Sequence, residues 1–205
     1  DAPYIFTEKE LYAEYGYVDR LVSVFQKTDA IPVAVGSGTI NDLVKLSAYR
    51  TGRQYMCVGT AASVDGYTAY GASITKDGAK QTFSCPAPQA WLGDTAIICQ
   101  APAEMTASGY ADLFAKVTAG ADWILADAMG VEAIDKTVWG IVQDCLPKAL
   151  GNPQAIHDRD PQAIGDLVEG LILSGFAMQA HRSSRPVSVD DPPSTEIYTL
   201  KHPIS

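Results

Sequence analysis

Two stretches of this sequence place groups where chemistry could follow. Gly36-Ser37-Gly38-Thr39 lies between an apolar run, residues 31–35, and a helical pattern that starts near Ile40. Glycines at such a turn let the backbone bend sharply and come close to a ligand. The first N–H groups of the helix beyond have no internal partner, so the loop suits an anion, phosphate above all. It departs from G-x-G-x-x-G, because the third glycine position is Asn41. The second stretch, residues 59–73, reads GTAASVDGYTAYGAS: small and hydroxyl-bearing residues around one carboxylate, Asp65. A further carboxylate, Asp112, stands four residues before Lys116, a spacing that suits an ion pair on one helix face.

The elements that must position these groups follow from periodicity. Val18, Leu21, Val22 and Phe25 recur at helical spacing. Residues 31–35 and 54–58 read as strands around a helix whose apolar stripe is Ile40, Leu43, Val44 and Leu46, with Thr51-Gly52-Arg53 as its stop. Such a βαβ unit has parallel strands and a right-handed connection, and ligands gather at the carboxyl ends of its strands. Both polar stretches then open on one crevice. Residues 69–85 predict a hairpin turning at Asp77-Gly78, ended by Pro86 and Pro88, and residues 95–100 a further short strand.

Beyond Pro102 helical periodicity takes over, so a boundary is placed near residue 102: an α/β part over 1–102 and a helical part over 103–205. Helices are predicted over 106–128, with Thr106 as N-cap; over 134–145, ended by Pro147; and from Asp160-Pro161 to before Pro186, with Ile164, Leu167, Val168, Leu171 and Gly175 facing a partner.

The chain of 205 residues is long enough for a core, carries a net charge of −9 and has a pI near 4.7. That charge leaves no broad basic face for a nucleic acid or an anionic membrane, so a small molecule or a protein is the expected partner. No run reaches the ~18 apolar residues of a membrane span and no secretory leader is visible, which gives a cytoplasmic expectation. Cys57, Cys85, Cys99 and Cys145 form no C-x-x-C pair and read as reduced core thiols.

Three stretches in order, GSGTIND at 36–42, TAASVDGYTAYGAS at 60–73 and ASGYADLFAK at 107–116, resemble the sn-glycerol-1-phosphate dehydrogenases of the iron-containing alcohol dehydrogenase and dehydroquinate synthase superfamily. The resemblance runs from about residue 10 to Ser188. It implies a partial Rossmann-like parallel-sheet domain binding NAD or NADP, a partial all-helical domain, and a divalent metal, usually zinc, between them. The implied reaction interconverts dihydroxyacetone phosphate and glycerol-1-phosphate in phospholipid metabolism. By the same resemblance Gly36, Ser37, Gly38 and Thr39 wrap the cofactor pyrophosphate, Asn41 and Asp42 begin the supporting helix, Thr60 and Ser63 join that group, Asp65 orients the substrate hydroxyls, and Asp112 is a metal ligand.

The sequence also departs from that pattern. The family has an initial βαβ unit ahead of the region matching residue 1, and two metal-binding histidines on later helices. Here Ser184-Arg185-Pro186-Val187-Ser188 is followed by a divergent, proline-rich tail from about 189, and His157, His181 and His202 do not match the family's ligands. Gly59, just before the TAAS motif, is a smaller departure. Two readings therefore stand side by side: a metal-dependent NAD(P)-linked polyol-phosphate dehydrogenase, and a non-catalytic remnant that binds nucleotide or serves as an interaction module. A dehydroquinate-synthase-like lyase is a third. Because the helix from 160 to 182 would pack in the family on helices not found here, self-association is also expected.

Overall fold

The computed structural model describes residues 3–181; the stretch from Ser184 to Ser188, the tail from 189 and His202 lie outside them. Three parallel strands lie in the order β1 (Val33–Gly36), β2 (Met56–Gly59), β5 (Ala90–Gly93). Helix α1 (Tyr15–Phe25) precedes β1, and α2 (Gly38–Arg50) connects β1 to β2 as the periodicity predicts. Strands β3 (Ala72–Lys76) and β4 (Ala79–Phe83) form the predicted hairpin. Asp77 and Gly78 both have left-handed backbones, with φ 54° and 77°, which suits a tight two-residue turn between twisted strands.

Register sorts the sheet's two faces. Ala34, Cys57 and Trp91 are paired across it and point to a core filled by Val18, Leu43, Leu46 and Tyr55. Val35, Val58 and Leu92 share the opposite face, where Val35 is 61% and Leu92 64% exposed. Parallel sheets ordinarily have both faces covered, so this apolar surface is unusual.

The third strand corrects the sequence reading. Residues 95–100, predicted as a strand, begin instead with a one-turn helix, α3 (Thr95–Ile98), because the Asp94 carboxylate accepts from Ala96 N at 2.8 Å and caps it. The strand lies just before, at Ala90–Gly93.

Helices then follow: α4 (Ala103–Ala128), α5 (Lys136–Gln143), α6 (Leu146–Leu150), α7 (Pro153–His157) and α8 (Pro161–His181). The N-cap of helix α4 is Pro102, four residues before the predicted Thr106 cap. Asp135 caps α5 through Thr137 N and Val138 N, so Ile134 falls outside it. Pro147, predicted to end that helix, sits in the first turn of α6, where a missing N–H costs nothing. His157 is the last residue of α7. Asp160 caps α8 through Ala163 N at 2.9 Å, as its sequence predicts.

Helix α8 is the axis of the helical part. It packs on α3, α4, α5, α6 and α7, burying Ile164, Leu167 and Leu171 against Leu113, Leu146 and Ile156. The expectation that its apolar face lies bare is thereby corrected: five helices of this chain cover it. By length and composition alone α8 could cross a membrane, yet half of its most apolar window is buried inside the protein, as in a core helix.

Candidate functional site

Helix α2 opens directly from β1. Ser37 precedes it with extended backbone, and its side chain makes no cap hydrogen bond. The first helical bond runs from Asn41 N to Ser37 O at 3.1 Å, leaving the N–H groups of Gly38, Thr39 and Ile40 without an intrahelical acceptor. Gly36 and Gly38 lie outside the left-handed region, so the turn does not require their freedom. What requires them is space. A Cβ on Gly36 would meet Ile40 at 2.7 Å, and one on Gly38 would meet Val64 Cγ2 at 2.7 Å. The anion loop and the Asp65 loop are thus pressed together.

Ser37, Gly38 and Thr39 line one wall of a cleft of about 640 Å³, and Ser63, Asp65 and Asp112 line another. Asp42 lies on this cleft as well, accepting from Ser73 N at 3.2 Å. Burial pushes its carboxyl above the ordinary range, with the Lys45 ammonium pulling the other way. Three expected site residues do not line it: Gly36; Thr60, whose N–H donates to Gly36 O at 3.1 Å; and Asn41, which is fully buried and faces inward.

Asp65 is the centre of a buried charge cluster. Its Oδ2 lies 2.9 Å from Lys116 Nζ and accepts from Ser174 Oγ at 3.0 Å. Lys116 Nζ also donates to Asp112 Oδ1 at 3.0 Å, and Asp112 Oδ2 accepts from Asp65 N at 2.9 Å. Burial raises the Asp65 carboxyl above its usual value, with Lys116 opposing and Asp112 adding to the shift. For Lys116, burial disfavours the charge, but the two carboxylates outweigh it and hold its ammonium above the ordinary value.

Glycines bring three elements to this point. A Cβ on Gly109 of α4 would lie 2.1 Å from Ala62 O, and one on Gly175 of α8 would lie 2.3 Å from Asp65 O. Both helices therefore close on the Asp65 loop at backbone distance, carrying Asp112 and Lys116 from one side and Ser174 from the other. Of these partners the sequence signalled Asp112 and Lys116 by their spacing. Ser174, 109 residues from Asp65, carried no signal beyond its place beside Gly175.

The cluster does not suit a divalent cation. The position facing both carboxylates is occupied by the Lys116 ammonium, and among the described residues no three His, Cys, Asp or Glu side chains converge as metal ligands. His157 is exposed on α7, and His181 stacks edge-on against Trp123 at 6.0 Å.

Residues 3–102 match a family model described as iron-containing alcohol dehydrogenase. A glycerol-1-phosphate dehydrogenase [NAD(P)+] of Halalkalibacterium halodurans is 34% identical over 175 residues, 85% of this chain and 44% of that protein. Over residues 3–102 the chain belongs to the iron-containing alcohol dehydrogenase family. Another relative, the glycerol-1-phosphate dehydrogenase [NAD(P)+] of Methanocorpusculum labreanum, is 35% identical over 85% of the chain and 49% of its own length. The chain thus spans about half the length of the curated relatives it matches, or a little less.

Solved structures of two dehydrogenases share the fold. A probable glycerol dehydrogenase from Sinorhizobium meliloti superposes with a TM-score of 0.67 at 22% identity, covering 82% of this chain and 51% of that one. An iron-containing alcohol dehydrogenase from Thermotoga maritima gives 0.67 at 16% identity, covering 86% and 52%.

Proposed function

We propose that this chain supplies the cofactor loop and the substrate-facing carboxylate of an NAD(P)-linked dehydrogenase acting on a phosphorylated triose or polyol, with dihydroxyacetone phosphate and glycerol-1-phosphate as the pair. The observation that carries this reading is the meeting of two loops in one cleft: Ser37–Thr39 at the start of α2, and Ser63–Asp65 after β2.

The residues present suit a dinucleotide. The open N–H groups of Gly38, Thr39 and Ile40, the uncapped Ser37 hydroxyl and the helix dipole all favour a pyrophosphate there. When bound, the nicotinamide supplies the hydride chemistry. Asp65 lines the cleft with its Oδ2 engaged by Ser174 and Lys116, which leaves Oδ1 to accept from a substrate hydroxyl. Lys116 lies behind the two carboxylates and offsets part of their charge, so a polar substrate meets a held, partly neutralised carboxylate. The cytoplasm suits a phosphorylated metabolite, and the bare face of the parallel sheet supports self-association of this chain.

A second reading, nucleotide binding without turnover, is favoured by Lys116 standing where a cation would face both carboxylates. One experiment separates the two: NADH binding and NADH oxidation with dihydroxyacetone phosphate, with zinc and with chelator. Turnover supports the dehydrogenase; binding without turnover leaves the nucleotide module. Absence of both sinks the proposal.

A further inference from the structure

Lys45 is a cation in the protein interior whose partners lie on the loop that carries Asp65. Its side chain is fully buried, and its three ammonium protons find three backbone carbonyls: Gly66 O at 2.8 Å, Ala69 O at 2.9 Å and Gly71 O at 3.0 Å. Three donors on a lysine and three acceptors make a complete set. Asp42 Oδ1 lies 3.9 Å away, the only carboxylate paired with it among the described residues. Burial works against the charge, and Asp42 partly restores it.

The neighbours of Lys45 on α2 extend the same connection. Asn41 Nδ2 donates to Gly66 O at 3.3 Å, while Asn41 Oδ1 accepts from Tyr55 OH at 2.9 Å. Asp42 Oδ2 accepts from Ser73 N, just after the loop. The helix whose first turn forms the anion loop therefore grips, four to eight residues further on, the segment from Gly66 to Ser73. The segment has other holds at its two ends and at Tyr67: Tyr67 is buried in the core and its OH donates to Ala61 O, Thr68 Oγ1 donates to Ile172 O, Gly71, with φ 92°, donates its N–H to Cys85 O at 2.7 Å, and Ala72 and Ser73 pair with β4. Between them, the carbonyls of Gly66, Ala69 and Gly71 turn inward to Lys45.

We propose that Lys45 is a positioning residue: by gathering the carbonyls of Gly66, Ala69 and Gly71 it fixes the loop after β2, so that Asp65 faces the cleft in register with the anion loop on the same helix. The proposal rests on the reading of Asp65 as the substrate-facing group. A buried charge with this full complement of carbonyls is costly to assemble and costly to leave half-made, which makes the loop's path close to all-or-none. Replacing the ammonium by a methyl thioether of similar length frees three carbonyls without emptying the space.

The test compares wild type with Lys45→Met by backbone hydrogen exchange, NADH titration and steady-state kinetics. Exchange of the amides of residues 66–71 should rise about tenfold or more while β1, β2 and α8 keep their protection. NADH binding at Ser37–Thr39 should stay within about twofold, and the loss should fall on kcat with dihydroxyacetone phosphate. Lys45→Gln, which retains two donors, should lie between the two proteins. Unchanged exchange at 66–71, or a uniform rise along the whole chain, would overturn the proposal. So would failure of both variants to fold, which would assign Lys45 to the core alone. A wild type that neither binds NADH nor turns over would sink the functional reading, while the exchange map would still decide the tether.

Discussion

Lys116 Nζ lies 2.9 Å from Asp65 Oδ2, linking a helix to a loop 51 residues earlier, with both groups almost wholly buried. The same ammonium reaches Asp112 at 3.0 Å. One cation thus serves two carboxylates, and the cleft wall depends on it.

Lys116→Met leaves Asp65 and Asp112 facing each other without a counter-charge. Breaking a buried pair from one side costs about 3–5 kcal/mol. The urea midpoint at pH 7 should fall accordingly. Because burial already raises the Asp65 carboxyl, protonation relieves the variant, and the deficit against wild type should shrink towards pH 5. A variant as stable as wild type at pH 7 would contradict the pairing.

Gly109→Ala tests the approach of α4 to the Asp65 loop. The added Cβ would sit 2.1 Å from Ala62 O, a backbone atom with little room to give. Overpacking of this kind costs about 1–3 kcal/mol. Gly16→Ala, where nothing lies within 4 Å, is the control, and its thermal midpoint should not fall.

Alkaline pH should destabilise the fold. Burial pushes the thiols of Cys57 and Cys85 from 9.0 up to about 12, and the Tyr67 phenol from 10.0 up to about 12. Between these values the native state holds protons that the unfolded state has lost, so stability falls as pH rises. The raised Lys116 acts in the same direction. Lys45, whose ammonium burial depresses, acts oppositely, but only up to its ordinary 10.5. From pH 10.5 to 12 all of these terms agree, and the urea midpoint should decline through that window. At pH 8 both thiols should resist a thiol reagent in the native state and react on unfolding.

What was legible in the sequence was what local pattern determines. The strand, loop and helix from 31 to 50 follow from an apolar run, two glycines and a helical stripe. The hairpin follows from Asp77-Gly78, and α8 from Asp160-Pro161. The short elements were not legible. Residues 95–100 offer too few positions to tell period 2 from period 3.6, and the deciding group, the Asp94 carboxylate, acts through one hydrogen bond. Pro147 has two meanings, helix end and helix start, and only its neighbours choose. The candidate site divides the same way. Ser37–Thr39, Asp65 and Asp112 were marked by motif or spacing, whereas Lys45 and Ser174 meet their partners over 21 to 109 residues, which no local pattern records.

The most direct measurement is NADH binding to wild type and to Ser37→Asp. Aspartate is a good N-cap, so the variant should fold at least as well, while its carboxylate occupies the open N–H groups at the start of α2. Saturable binding by wild type, weakened about tenfold or more in Ser37→Asp, is the predicted result. Equal binding by the two proteins would contradict the placement of the cofactor at this loop.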